Sequence, residues 1–260
     1  MDEHDIVVTG SEGYLGSALI PVLKAKGYRI CRIDTRTADN PCDAHEYSSF
    51  RWPETTRVIH LAWPRLESSL IDDNARAALT TARLARQLGT RMLFASSMST
   101  QASELSAYAE GKLLAESAVR QAGGAILRFA TLVGPSPAMR WDTLAHRFVR
   151  DAKAGRTVKV YGPSAWRPFL SIHAAIHRIV QWLERGPPPK LQLVPFTPMM
   201  AEWNVQKEQL ARDVVELVPS ATVELYDEIT DPRDYQASRL MQPKCGLQFR
   251  DLLRSVVEAA

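Results

Sequence analysis

The chain has 260 residues, 45% of them hydrophobic and 23% charged, which is ordinary globular composition. The net charge of +3 is spread along the chain with no long basic run, so nothing in it supports nucleic-acid binding. No apolar run reaches the roughly 18 residues of a membrane span, and Cys31, Cys42 and Cys245 lack metal-ligand spacing.

Ile6, Val7 and Val8 form a short apolar run that reads as a buried strand. Gly10, Gly13 and Gly16 follow at three-residue spacing, and Leu15, Leu19, Ile20 and Leu23 then mark one side of a helix. Strand, glycine turn and helix is the setting in which glycines signal dinucleotide binding. Gly10 permits the tight turn, Gly13 lets a pyrophosphate approach the backbone, and Gly16 allows close packing of helix on strand. The first helical turn, with Tyr14, Leu15 and Gly16, offers its free N–H groups to phosphates. A plain strand-to-helix turn would use similar glycines, and the spacing is GxxGxxG rather than GxGxxG.

Pro21 falls inside this helix and predicts a bend, and Gly27 ends it. Tyr28 to Ile33 reads as a second strand, closed by Asp34. A carboxylate there, eighteen residues after Gly16, accepts hydrogen bonds from adenosine ribose hydroxyls and repels a 2′-phosphate. Asp34 therefore favours NAD over NADP, with Arg36 close by as an opposing charge. Asp43, between Thr35 and Tyr47, reads either as a contact to the adenine edge or as a solvated loop acid. Arg57 to Trp63 is a strand running into a loop, and His60 in it reads as a packed structural histidine. Asp73 and Asn74 open a long helix through Leu88. Arg91 to Ala95 is a strand that delivers Ser96-Ser97-Met98-Ser99-Thr100.

Tyr108 and Lys112 lie four apart in a helical pattern and share a face. An ammonium beside a phenol lowers the phenol's pKa from about 10. A phenol so tuned exchanges protons near neutral pH, although such pairs are also common on surface helices. Further on, Ala125–Phe129, Thr157–Tyr161, Leu191–Val194 and Thr222–Leu225 read as strands. Leu144–Ala154, His173–Leu183, Val205–Leu217 and a segment from Phe249 read as helices. Alternating strands and helices predict an α/β fold, a doubly wound parallel sheet covered on both faces. The less regular second half predicts a smaller mixed α/β domain for substrate. The expected division is 1–131 and 132–260, with 167–185 returning to the first unit.

Taken in order, these residues resemble the extended short-chain dehydrogenase/reductases, in their NAD-dependent epimerase/dehydratase branch that acts on nucleotide sugars. Thr9-Gly10-x-x-Gly13-x-x-Gly16 resembles the family's glycine motif, and Asp34 falls at its NAD-selecting acid. His60-Leu61-Ala62 resembles the HLA motif beside the cofactor, with Trp63 replacing a usual alanine. Asn74 matches a structural asparagine, Ser96-Ser97 the SS pair, and Tyr108-x-x-x-Lys112 the YxxxK motif. Arg128 to Pro135 resembles the RxxNxxGP run, with Thr131 where asparagine is frequent. Arg167-Pro168-Phe169 resembles the RxF segment whose arginine binds a substrate phosphate, and Asp231-Pro232-Arg233-x-Tyr235 a late substrate motif.

The resemblance implies catalysis by Ser97, Tyr108 and Lys112. It implies NAD on the glycine turn, Asp34, Leu61, Ala62, Trp63 and Lys112, beside the separate candidate Asp43, and substrate on Ser97, Ser99, Thr131 and Arg167. Gln101 stands where a VYG tyrosine is usual. Met98-Ser99 stands where dehydratases carry Asp-Glu, so dehydration is not expected. The expected protein is a cytoplasmic nucleotide-sugar epimerase or ketoreductase using NAD, with no metal, nucleic acid or membrane partner. A homodimer through the Tyr108 helix and the helix after Asn74 is also implied. Two alternatives stay open. One is a carbonyl reductase for a non-sugar substrate, with Trp63, Trp141 and Trp166 lining an apolar pocket. The other is a non-catalytic cofactor sensor, although such proteins typically lose the tyrosine or the lysine. The acidic start, Met1-Asp2-Glu3-His4-Asp5, does not read as a secretory leader.

Overall fold

A computed structural model describes residues 5–34, 57–63, 71–89, 92–184, 199–228, 234–238, 240–241 and 247–260, with the backbone only of 71–75 and 199. Strand β1 (Ile6–Thr9) lies between β2 (Ile30–Ile33) and β3 (Arg57–His60). Beyond β3 come β4 (Met92–Ser97), β5 (Ala125–Phe129) and the two-residue β9 (Met199–Met200). All six strands are parallel. The chain winds outward from β1 first to one side, then to the other. The switch point therefore lies between β1 and β3, where parallel sheets of this kind hold ligands at their carboxyl edge.

Both faces of the sheet are buried because successive side chains point to opposite sides. Ile6 and Val8 pack with Leu19 and Leu23 of α1 (Tyr14–Ala25) and with Ile176 and Ile179 of α5 (Ile172–Glu184). Val7 faces the other way, into a core with Leu84 of α2 (Ile71–Leu88) and Ala115 and Val119 of α3 (Ala107–Gln121). The segment through α5 thus comes back to the first sheet after the chain has left it. α1 runs unbroken through Pro21, which lies exposed.

A second core joins α4 (Leu144–Lys153), α6 (Lys207–Leu217) and α7 (Phe249–Ala259) through Phe148, Leu210 and Leu253. It lies against a three-stranded sheet of β6 (Thr131–Val133), β8 (Trp166–Ser171) and β10 (Trp203–Gln206), and a parallel pair of β7 (Val158–Tyr161) and β11 (Val223–Tyr226). β8 serves both cores: Phe169 enters the second and Leu170 the first. β6, β8, β9 and β10 were not expected from the sequence. They are two to six residues long, and β8 contains Pro168, which argues against a strand until its partners are known. The predicted strand Leu191–Val194 lies outside the described residues, as do Arg36, Asp43, Asp231, Pro232 and Arg233 and the side chain of Asn74. No described helix is long and apolar enough to cross a membrane.

Candidate active site

The glycine turn follows β1 at the switch point. Gly10 has φ of +71°, and a Cβ there would come within 2.7 Å of the Ala62 backbone nitrogen. A Cβ on Gly16 would collide with the Gly10 carbonyl and reach within 2.8 Å of Ser11 Cα. Both positions therefore need glycine, one for its backbone conformation and both for space. Gly13 caps α1 without a side chain, and the first helical bond is Ser17 N–H to Gly13 O at 2.8 Å. The N–H groups of Tyr14, Leu15 and Gly16 therefore have no partner within the helix. A side-chain-free cradle of N–H groups is the donor set a dinucleotide pyrophosphate requires.

Asp34 lies against this turn, where its carboxylate accepts from Glu12 N–H at 3.0 Å. Glu12 is held by Arg32 and by the Ser11 hydroxyl at 3.1 Å. On the far side of β1, His60 is buried and doubly bonded. Thr81 Oγ1 gives its proton to Ala77 O at 2.8 Å, so it accepts from His60 Nε2–H at 2.9 Å. His60 Nδ1 then accepts from Thr9 Oγ1 at 2.7 Å. Burial, with the Lys112 charge as a second cause, pushes the imidazole down to about 3. His60 is thus a neutral strut between β1, β3 and α2. Leu61 N and Ala62 N bond Thr9 O and Oγ1, which fixes the loop after β3 against the glycine turn.

Tyr14 turns away from the turn it begins. Its phenol donates to Gly134 O at 2.6 Å, and burial raises its pKa well above the ordinary value. Only its main-chain N–H is left to face a cofactor.

Ser97, Tyr108 and Lys112 meet at the carboxyl edge of β4. Ser97 caps a short 3₁₀ turn (Met98–Gln101), its Oγ accepting from Ser99 N at 3.1 Å and Ser99 Oγ at 2.9 Å. Ser97 lies near enough to the Tyr108 phenol to favour its ionised form. Lys112 follows one turn along α3 and is only 3% exposed. Its Nζ donates to Ala95 O at 2.8 Å and lies 4.0 Å from the centre of the Trp63 ring and 4.6 Å from that of Phe94.

The expected tuning of Tyr108 by Lys112 is not what this arrangement gives. Burial raises the phenol pKa, opposed by the charge of Arg140 and by the neighbouring Ser97 hydroxyl. Lys112 is 5.8 Å from the phenol ring, and burial pushes its own pKa well down, with the charge of Glu116 opposing. Desolvation outweighs the pairing that sequence spacing suggested.

Other predicted residues stand nearby or apart. Thr131 begins β6, directly beyond the end of β5. Arg167 is buried in β8, with Nη1 on Trp166 O at 2.7 Å. Met98 is fully buried, and Ser99 is engaged with Ser97. Sequence reasoning missed Arg140, whose charge acts on Tyr108, Tyr14 and His146 from the loop between β6 and α4. Its one signal was a basic residue soon after Gly134-Pro135. It also missed Glu116, which accepts from Ser96 Oγ at 2.5 Å and from Arg128 Nε and Nη2 at 2.8 and 2.6 Å. The periodicity Tyr108, Lys112, Glu116 was available for that one. Tyr235 also acts on the Tyr108 phenol, which brings part of the late motif to this site.

Residues 6–193 match the model of the NAD dependent epimerase/dehydratase family, and the chain belongs to that family. Its fold is similar to that of dTDP-glucose 4,6-dehydratase from Bacillus anthracis in complex with NAD (15% identity, TM-score 0.77, 98% and 96% of the two chains covered). It is similar also to UDP-glucose 4-epimerase from Thermotoga maritima with UDP-glucose (17%, 0.74, 98% and 97%). A third such structure is the Bordetella bronchiseptica enzyme WbmG in complex with NAD and UDP (17%, 0.73, 99% and 94%).

Proposed function

We propose that this chain is an NAD-dependent epimerase or ketoreductase acting at a carbon of a nucleotide-linked sugar. The observation that carries the reading is the convergence of Ser97, at the end of β4, with Tyr108 and, on the next helical turn, Lys112, whose Nζ donates to Ala95 O of the same strand. When bound, NAD supplies the hydride acceptor and donor. The N–H groups of Tyr14, Leu15 and Gly16 hold the pyrophosphate, and Asp34 holds the adenosine ribose. Leu61, Ala62, Trp63 and Lys112 lie toward the nicotinamide end. Ser97 hydrogen-bonds the reacting oxygen, while Tyr108 takes its proton in oxidation and returns it in reduction. Arg140 stabilises the phenolate between those steps. Thr131 and Ser99 face the sugar, and Arg167 takes the diphosphate. Buried Met98 and engaged Ser99 leave no acid–base pair after Ser97, which speaks against dehydration.

A thermal-shift screen tests this. With NAD present, UDP, dTDP or GDP at about 100 times its Kd should stabilise the chain by about 2.7 kcal/mol, a rise of roughly 5 °C or more in Tm. NAD should stabilise it more than NADP at equal concentration, and the reverse order would remove the role given to Asp34. A second reading has its own support: Trp63 stands edge-on to Tyr108 at 6.3 Å and beside Phe94 at 5.8 Å, an aromatic wall suited to an apolar carbonyl compound. Silence toward every nucleotide diphosphate would favour that reductase.

The chain also works as a homodimer in this proposal. α2 and α3 pack together and expose Leu79 and Leu114, 61% and 63% accessible, on their outer side. Light scattering after gel filtration should give twice the 29.0 kDa chain mass and Leu114→Glu a monomer. A monomeric wild-type chain at micromolar concentration would refute it.

A further inference from the structure

Lys112 ends in an aromatic box. Among the described residues its one hydrogen-bond acceptor is Ala95 O, at 2.8 Å. The rest of the ammonium meets ring faces, Trp63 at 4.0 Å and Phe94 at 4.6 Å. Such contacts are attractive, more so when shielded from water, and a tryptophan face is the strongest. The two rings differ in freedom. Phe94 is fully buried on a central strand. Trp63 sits on the irregular segment after β3, only partly buried, one residue beyond Ala62 and its contact with Gly10.

Trp63 also carries an unmet demand. Its Nε1–H is buried and has no hydrogen-bond partner among the described residues. A buried indole N–H normally finds an acceptor. The ring's face therefore serves Lys112, while its polar edge meets no acceptor among the described residues. That suits a side chain with a second position in which the edge is satisfied.

We infer that Trp63 is a cover over Lys112 that yields when NAD binds, so that the ammonium exchanges an indole face for ribose hydroxyls and the indole N–H gains an acceptor. This rests on the reading that the chain binds NAD. Part of the cofactor's binding energy then goes into breaking the Lys112–Trp63 contact, and wild-type affinity is lower than the site would otherwise give. The same movement removes the ring edge from Tyr108 and lets Lys112 act on the phenol, a coupling the cofactor-free chain lacks.

Calorimetric titration with NAD, ADP-ribose and ADP tests this on the wild-type chain, Trp63→Leu and Trp63→Phe. ADP-ribose carries the second ribose without nicotinamide, and ADP carries neither. Trp63→Leu should bind NAD and ADP-ribose about 3- to 30-fold more tightly than wild type, the range a cation–π contact of this kind spans. Its affinity for ADP should be unchanged, and Trp63→Phe should fall between. Equal or weaker NAD binding by Trp63→Leu overturns the inference, the weaker result marking Trp63 as a contact to bound cofactor. A measurement without variants guards against misfolding: tryptophan emission of the wild-type chain should change with ADP-ribose and not with ADP. An equal change with both also overturns the inference. Failure of the wild-type chain to bind any of the three ligands overturns this inference and the NAD reading together.

Discussion

Tyr108→Phe is expected to lower turnover about 10²–10⁴-fold, the usual worth of one positioned proton-transfer group, while fold and NAD affinity stay close to wild type. The substitution removes one oxygen. The ring keeps its edge contact with Trp63, and Ser97 keeps both donors from Ser99. In the proposed mechanism the chemistry loses the group that hands over the proton. Burial holds the phenol above its ordinary pKa, so it is protonated at neutral pH and ready to donate in the reducing direction. Oxidation needs the phenolate, so its rate should rise with pH through and above neutrality. The measurement is turnover of any accepted nucleotide sugar, with NAD affinity followed by calorimetry. A variant within a few-fold of wild type would assign the proton to another group.

Glu116→Ala is expected to cost about 3–5 kcal/mol in urea unfolding, the range for breaking one side of a buried ion pair. The Glu116 carboxylate is 1% exposed and takes a bidentate guanidinium from Arg128, itself 15% exposed, as well as the Ser96 hydroxyl. Removing it leaves Arg128 and Ser96 facing each other without an acceptor beneath the β4 edge. The double variant Glu116→Leu with Arg128→Met should recover much of that loss, because replacing both charges with apolar groups leaves neither uncompensated. A single-variant loss under about 1 kcal/mol would show that solvent screens the pair far more than its burial suggests.

What could be read from the sequence was local. The demand for glycine at positions 10 and 16 is met within a dozen residues, by one positive φ and by the approach of a helix to its own turn. The Tyr108–Lys112 face follows from helical geometry. His60 was legible as a packed residue because its neighbours are apolar, although Thr81, which orients its ring, is 21 residues away. Arg140 was not legible. It lies in an irregular loop, and its effect on Tyr108 comes from folding rather than periodicity. The direction of the Tyr108 shift was missed for the same reason, since desolvation depends on what covers the ring. Trp63 stood out in sequence only as a departure from pattern. Its place over Lys112 arises where β3 and α3 converge.

The start of α1 is fastened to the loop after β6. Tyr14 donates to Gly134 O, Ser136 Oγ donates to Tyr14 O at 2.6 Å, and Ser17 and Ser136 share a hydrogen bond at 3.0 Å. These bonds cross residue 131, so the chain has no clean seam there along which it could be cut. A fragment ending there would strand a buried phenol without its acceptor and strip α5 from the back of the sheet. A chimaera that exchanged the second half would have to bring its own acceptor for the Tyr14 phenol and its own hydroxyl for Tyr14 O.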